Sequence, residues 1–148
     1  MLLNGCRQLL ADKTVKLLLD EQMDVRLKTE LSELDTYTLM DMGWQGLKNG
    51  VLSEKVNEDE FTFFITADKN LPFQQNLSKL LFIIILLDTP TLLWEHQSLF
   101  APKISAFVKS FAPTSSLKIV HISLEGFSKG KKREQFRRVF TPEQILFL

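Results

Sequence analysis

Five short runs in this chain are apolar almost without a break: VKLLLD at 15–20, TYTLM at 36–40, FTFFIT at 61–66, LLFIIILL at 80–87 and LKIVHI at 117–122. They show little of the polar alternation that a strand with one wet face would carry. Continuous runs of this length are what parallel strands covered on both faces require. The longest is far short of the ~20 residues of a membrane-spanning helix, so no membrane is expected. Between the runs lie helical stripes. Met23, Leu27, Leu31 and Leu34 share one face, as do Leu47, Val51, Leu52 and Val56, and then Ile104, Phe107, Val108 and Phe111. Pro102 suits the first turn of the third helix.

Strand and helix alternating with short joins predict a doubly wound, three-layer α/β/α fold around a mainly parallel sheet. Right-handed crossovers favour the strand order 2-1-3-4-5, with a switch point between strands one and three. Ligands of such sheets bind beyond the carboxyl ends of the strands at that point. Asp20 and Glu21 follow the first run there, and Asp68, Lys69 and Asn70 follow the third. Asp41 and Asp88 follow runs two and four and read as ordinary loop residues.

Neighbouring carboxylates resist joint ionisation unless a cation neutralises them. An oxygen-only set suits Mg²⁺ or Mn²⁺, with Asp20 and Asp68 as ligands. Glu21 is less well placed, because adjacent residues of an extended chain point to opposite faces. Lys69 is a candidate phosphate contact, and Asn70 a ligand through its amide oxygen or a group that orients water. The competing reading makes Asp20 and Asp68 caps of the helices that follow. Trp44 either stacks on an exposed base or covers a core edge. Gln74, with Gln75 and Asn76, either holds metal-bound water and an incoming strand or is a surface amide run. His96 and His121 have no ligand spacing to another His or Cys and read as structural. Cys6 is the sole cysteine, which excludes an internal disulfide and fits a reducing cytoplasm.

Eighteen basic residues balance eighteen acidic ones, so only the distribution of charge can point to a polyanion. After Ser123 the sequence turns basic, in FSKGKKREQFRRVF at 127–140. That stretch reads as a flexible appendage, and the chain divides into a domain over 1–123 and a basic C-terminal extension over 124–148. The extension is a solvated tail, an anchor for an RNA backbone, or a dock for an acidic partner.

Three segments, LLLDEQ, DMGWQGLKNGVL and FFITADKNLPFQQNL, occur in this order between about 15 and 121. Together they resemble the PIN-like proteins grouped with toxin components of bacterial toxin–antitoxin systems. The resemblance implies a PIN-like fold and metal-dependent ribonuclease activity, with Asp20, Glu21 and Asp68 as the catalytic acids. It also implies RNA as substrate and a small antitoxin-like protein as partner. The alternative is a catalytically degenerate PIN-like module that binds RNA or a partner protein without cutting. Receiver domains of response regulators share the expected strand order, but they need a Lys after strand five, where this chain has HISLEGF.

Overall fold

The computed structural model describes residues 15–112, 116–127 and 131–148, the side chain of Lys131 excepted. Cys6 and Lys129 lie outside them. Six strands form one sheet: β1 (Lys16–Leu19), β2 (Asp35–Thr38), β3 (Phe63–Thr66), β4 (Ile83–Leu87), β5 (Ile119–Ile122) and β6 (Ile145–Phe147). Every neighbouring pair is parallel, in the order 2-1-3-4-5-6. The expected order of the first five strands is therefore found, with the switch point between β1 and β3.

Seven α-helices and two short 3-10 helices (Leu77–Lys79 and Ser98–Phe100) accompany the sheet among the described residues, the α-helices being α1 (Arg26–Glu30), α2 (Leu39–Met42), α3 (Asn49–Glu58), α4 (Leu71–Gln74), α5 (Trp94–Gln97), α6 (Ala101–Ser110) and α7 (Lys131–Val139). The strand period of two divides the buried residues between two faces. Leu17, Leu19, Phe63, Ile65, Ile85 and Val120 pack with Leu27 of α1 and with Ile104 and Val108 of α6. Leu18, Phe64, Ile84, Leu86 and Ile119 pack with Leu52 and Val56 of α3 and with Phe136 of α7. Both faces are covered by helices, which is why the strands read as unbroken apolar runs. Pro102 sits in the first turn of α6, as expected. Val51 does not join the core stripe of α3: it is exposed, while Leu52 and Val56 carry the packing.

The C-terminal stretch corrects the expectation of an appendage. Residues 131–148 belong to the same fold, because β6 extends the sheet beside β5 and Phe136 of α7 is fully buried. The basic residues hid this. Helix α7 is strongly basic yet buries Phe136, and β6 is only three residues long, ILF. A division at 123 would part β5 from β6, its hydrogen-bonded neighbour.

Candidate active site

The register of the sheet decides which polar side chains meet. Leu19 lies opposite Ile65, and Thr66 opposite Leu86, which in turn faces His121. The ladder runs one residue beyond the strands, since the Asp20 amide donates to the Ile65 carbonyl at 2.9 Å and the Asp88 amide to the Ile122 carbonyl at 2.8 Å. Positions of one parity point to one face. Asp20 follows Leu18, Thr66 follows Phe64, Asp88 follows Leu86 and His121 follows Ile119. All four carry on the face packed by α3 and α7, at the carboxyl ends of their strands.

Thr66 joins the two acids at the switch point. Its hydroxyl donates to Asp20 Oδ2 at 2.7 Å and accepts the Asp68 amide at 3.0 Å. Asp20 Oδ1 accepts the Glu21 amide at 2.7 Å, and Asp68 Oδ1 accepts the Asn70 amide at 3.0 Å. Burial pushes the Asp20 carboxyl above its ordinary value; the Thr66 and Glu21 hydrogen bonds oppose this, and the charges of Asp68 and Glu21 add to it. Among the described residues Asp20 forms no ion pair. Neither acid caps a helix. Val25 enters α1 and Asn70 enters α4, each without a side-chain cap. Of the two readings left open by the sequence, capping is not the one found.

A second polar group lies deeper under the same face. Lys69 Nζ pairs with Asp88 Oδ1 at 3.0 Å, and His121 Nε2 stands 3.4 Å from Asp88 Oδ2. Asp88 is 2% exposed and His121 fully buried, so Asp88 is not the loop residue that the sequence suggested. Among the described residues, Asp88 Oδ2 and both ring nitrogens of His121 have no hydrogen-bond partner. Burial drives the imidazole pKa down, outweighing the attraction of Asp88, and the Arg133 and Lys69 charges push it the same way. His121 is therefore neutral, wedged between the Phe136 and Phe147 rings at 5.3 and 5.4 Å. An open pocket of about 380 Å³ lies beside the acids, between Gln22, Asp68 and Lys69 on one side and residues 89–92 on the other.

The other expected site residues divide. Glu21 is exposed but close enough for its charge to act on Asp20. Asn70 is exposed and meets Asp68 through its backbone amide. Gln74 is exposed at the end of α4 and makes no side-chain hydrogen bond among the described residues; its neighbour Gln75 is tied to Ser53 at 2.9 Å. Trp44 is not brought to the acids. Its ring meets Phe61 edge-on at 5.9 Å, and Phe61 precedes β3 whereas Asp68 follows it, so the indole covers a core edge. Asp41 forms a capping box with Thr38 and pairs with Lys28 at 2.7 Å, away from the acids. Thr66 went unnoticed in the sequence, and Asp88 was read there as a loop residue. A threonine two residues before Asp68 at a strand end was a usable signal for the first, and only the register could reveal the second.

Among the described residues, no group of three or more His, Cys, Asp or Glu side chains is arranged to hold a metal ion, and no helix is long and apolar enough to cross a membrane. Fold and site together define a doubly wound, all-parallel α/β protein with a coupled pair of aspartates at its switch point. Comparison with protein-family models, curated proteins and solved structures found no match to this chain.

Proposed function

We propose that this chain is a PIN-like, metal-dependent ribonuclease, acting in the cytoplasm as the toxin partner of a small antitoxin-like protein. The observation that carries the reading is the pairing of Asp20 and Asp68 through Thr66, with the Asp20 carboxyl pushed upward. A divalent cation between them would relieve that strain in charge. Two carboxylates suit an ion that keeps most of its waters and completes its shell with substrate phosphate, as Mg²⁺ and Mn²⁺ do; they do not suit a closed protein cage. When bound, such an ion polarises a phosphodiester and supplies hydroxide near neutral pH. The chain's own part is to hold and orient. Thr66 fixes the Asp20 carboxylate, Asn70 fixes Asp68 through its amide, and Lys69, steadied by Asp88, faces the adjoining pocket with ammonium protons for a phosphate oxygen.

The two-acid count favours a second reading, a PIN-like module that binds RNA or a partner protein without cutting it. Asp68→Asn separates the two. In the wild type, Mg²⁺ or Mn²⁺ raises the melting temperature, reaching about 2.7 kcal/mol of stabilisation at a hundredfold excess over Kd, and RNA is cleaved. The variant folds but loses both responses. RNA binding by the wild type without cleavage establishes the module instead, and cleavage by the variant at the wild-type rate overturns the assignment of the site.

A further inference from the structure

The geometry points to a phosphate-binding subsite on the same rim, built by Lys103 of α6 and Arg133 of α7, which holds the backbone of a single-stranded RNA beside the acidic crevice. It rests on the reading above only in taking RNA as the ligand. Arg133 is half-buried and held from three sides. Its guanidinium lies over the Phe147 ring at 5.5 Å, donates to the Leu148 carbonyl at 3.1 Å and donates to the Ser123 hydroxyl. These contacts use one terminal nitrogen and leave the other donors of the planar fork, which matches phosphate geometry. Lys103 Nζ donates to the Ser123 carbonyl at 3.0 Å and keeps its other protons. The two cations line one pocket of about 430 Å³ with Ser123, Leu124, Glu125 and Gly126. Among the described residues neither forms an ion pair, whereas Lys28, Lys69, Lys109 and Arg26 each do. Two like charges converge on one pocket whose acid, Glu125, pairs with neither of them among the described residues, which leaves a place for an anion.

The position gives that anion an identity. Ser123 and Leu148 follow β5 and β6 at the carboxyl end of the sheet, as Asp68 follows β3. Strands in a sheet lie ~4.8 Å apart, so β5 is roughly 10 Å from β3 across the sheet. That is too far for one phosphate to touch both sites and short enough for a flanking phosphate of the same strand. Aspartates at the switch point repel a polyanion, and cations nearby on the rim supply the hold that the acids cannot.

The test measures binding of a short labelled single-stranded RNA to the full chain without divalent metal, by fluorescence anisotropy over several salt concentrations. Lys103→Met removes an exposed side chain with one hydrogen bond and is checked for folding by urea melting. It should weaken binding by roughly threefold to tenfold and reduce the slope of log K against log salt by about 0.7, the loss of one phosphate contact. Arg133→Lys should keep the slope and lose affinity, because charge remains while the fork is gone. Glu125→Gln should tighten binding by removing the one acid on the pocket wall. In the wild type the Ser123 and Gly126 amide resonances should shift on adding RNA, and in Lys103→Met the same shifts should need roughly threefold to tenfold more RNA. Unchanged affinity and slope in Lys103→Met overturn the subsite, and are the result expected if the pocket serves an acidic protein instead. No RNA affinity in the wild type overturns both the subsite and the ribonuclease reading. Lys103-dependent binding without metal-dependent cleavage leaves the subsite standing and removes the ribonuclease reading alone.

Discussion

Thr66 is fully buried, and its hydroxyl bonds both the Asp20 carboxylate and the Asp68 backbone amide, so replacing it with valine tests the site from underneath. The substitution conserves volume but removes a donor to the Asp20 carboxylate and the acceptor of the Asp68 amide. A hydrogen bond to a charged group contributes ~1.5–3 kcal/mol, and orphaning a buried amide costs ~1–3 kcal/mol. Asp68 is only half-buried, so its amide finds water and the second cost falls at the low end. The methyl that replaces the hydroxyl offsets about 0.8 kcal/mol. The net loss for Thr66→Val is then roughly 2–3 kcal/mol. Thr66→Ser keeps both hydrogen bonds and gives up one buried methyl, a loss of about 1 kcal/mol. Urea unfolding of the two variants should therefore rank Val well below Ser. pH adds a check. The Thr66 bond lowers the Asp20 pKa, so without it the folded value climbs further. The excess penalty of Val is complete where Asp20 is ionised and shrinks as acidification protonates it. Val as stable as Ser, or a penalty independent of pH, would refute the role of the hydroxyl at the acids.

Two other perturbations follow from the structure. Asp20→Asn should raise the melting temperature at neutral pH while abolishing any divalent-metal response. The folded pKa of Asp20 is raised above its ordinary 3.8, so its contribution to stability is present below the unfolded value and lost as pH rises through the folded one. The gain from Asn should accordingly vanish in acid, and a melting profile against pH checks this. Phe136→Ala should destabilise the whole chain by ~3–5 kcal/mol in urea melts, because the ring is fully buried and packs against Phe73 at 4.8 Å and Phe140 at 5.7 Å. A loss under about 1 kcal/mol would mean that α7 and β6 unfold apart from the rest.

Most of the sheet was legible because the period and length of its apolar runs leave few alternatives. VKLLLD ends in an acid, FTFFIT is followed two residues on by another, and right-handed crossovers put those ends side by side. What the sequence hid depended on register. Lys69 reads as a phosphate contact and Asp88 as a loop acid until β3 and β4 are aligned so that Thr66 faces Leu86; then the two meet at 3.0 Å. His121 looks like a lone polar residue in a strand, and only its parity with Ile119 sets it against Asp88 and Phe136. Trp44 was open to both a base-stacking and a core-edge reading, and the core-edge one is found. Its place in a loop after β2 suggested the ligand rim, yet a large apolar ring gains more by covering Phe61 than by standing in water. The strand β6 was hidden by composition, since FRRVF and TPEQ mask a three-residue apolar run that has a partner only once β5 is in place.

The neutral net charge of the chain conceals a separation of sign along one rim. On the β1 and β3 side stand Asp20, Glu21 and Asp68; on the β5 and β6 side stand Lys103 and Arg133, with Glu125 beside them; between the two ends Lys69 and Asp88 offset each other as an ion pair. Roughly 10 Å separates the β3 end from the β5 end, while charges in water are screened over ~8 Å at physiological ionic strength. At low salt the acids and the cations partly cancel for any distant polyanion, and steering is weak in either direction. At physiological salt each end acts on what touches it. On the proposed reading, a divalent ion would then meet two carboxylates, and a phosphate two strands away would meet two cations against the single acid Glu125. The Lys69–Asp88 pair makes this division possible, because an unpaired charge of either sign at that position would join one field to the other. Raising the salt further weakens the cationic end first, since its contacts are half-exposed, whereas the Asp20 carboxylate is held by Thr66 within the edge of the sheet. Binding of RNA and binding of metal should therefore respond to salt separately, even though the two sites share one rim.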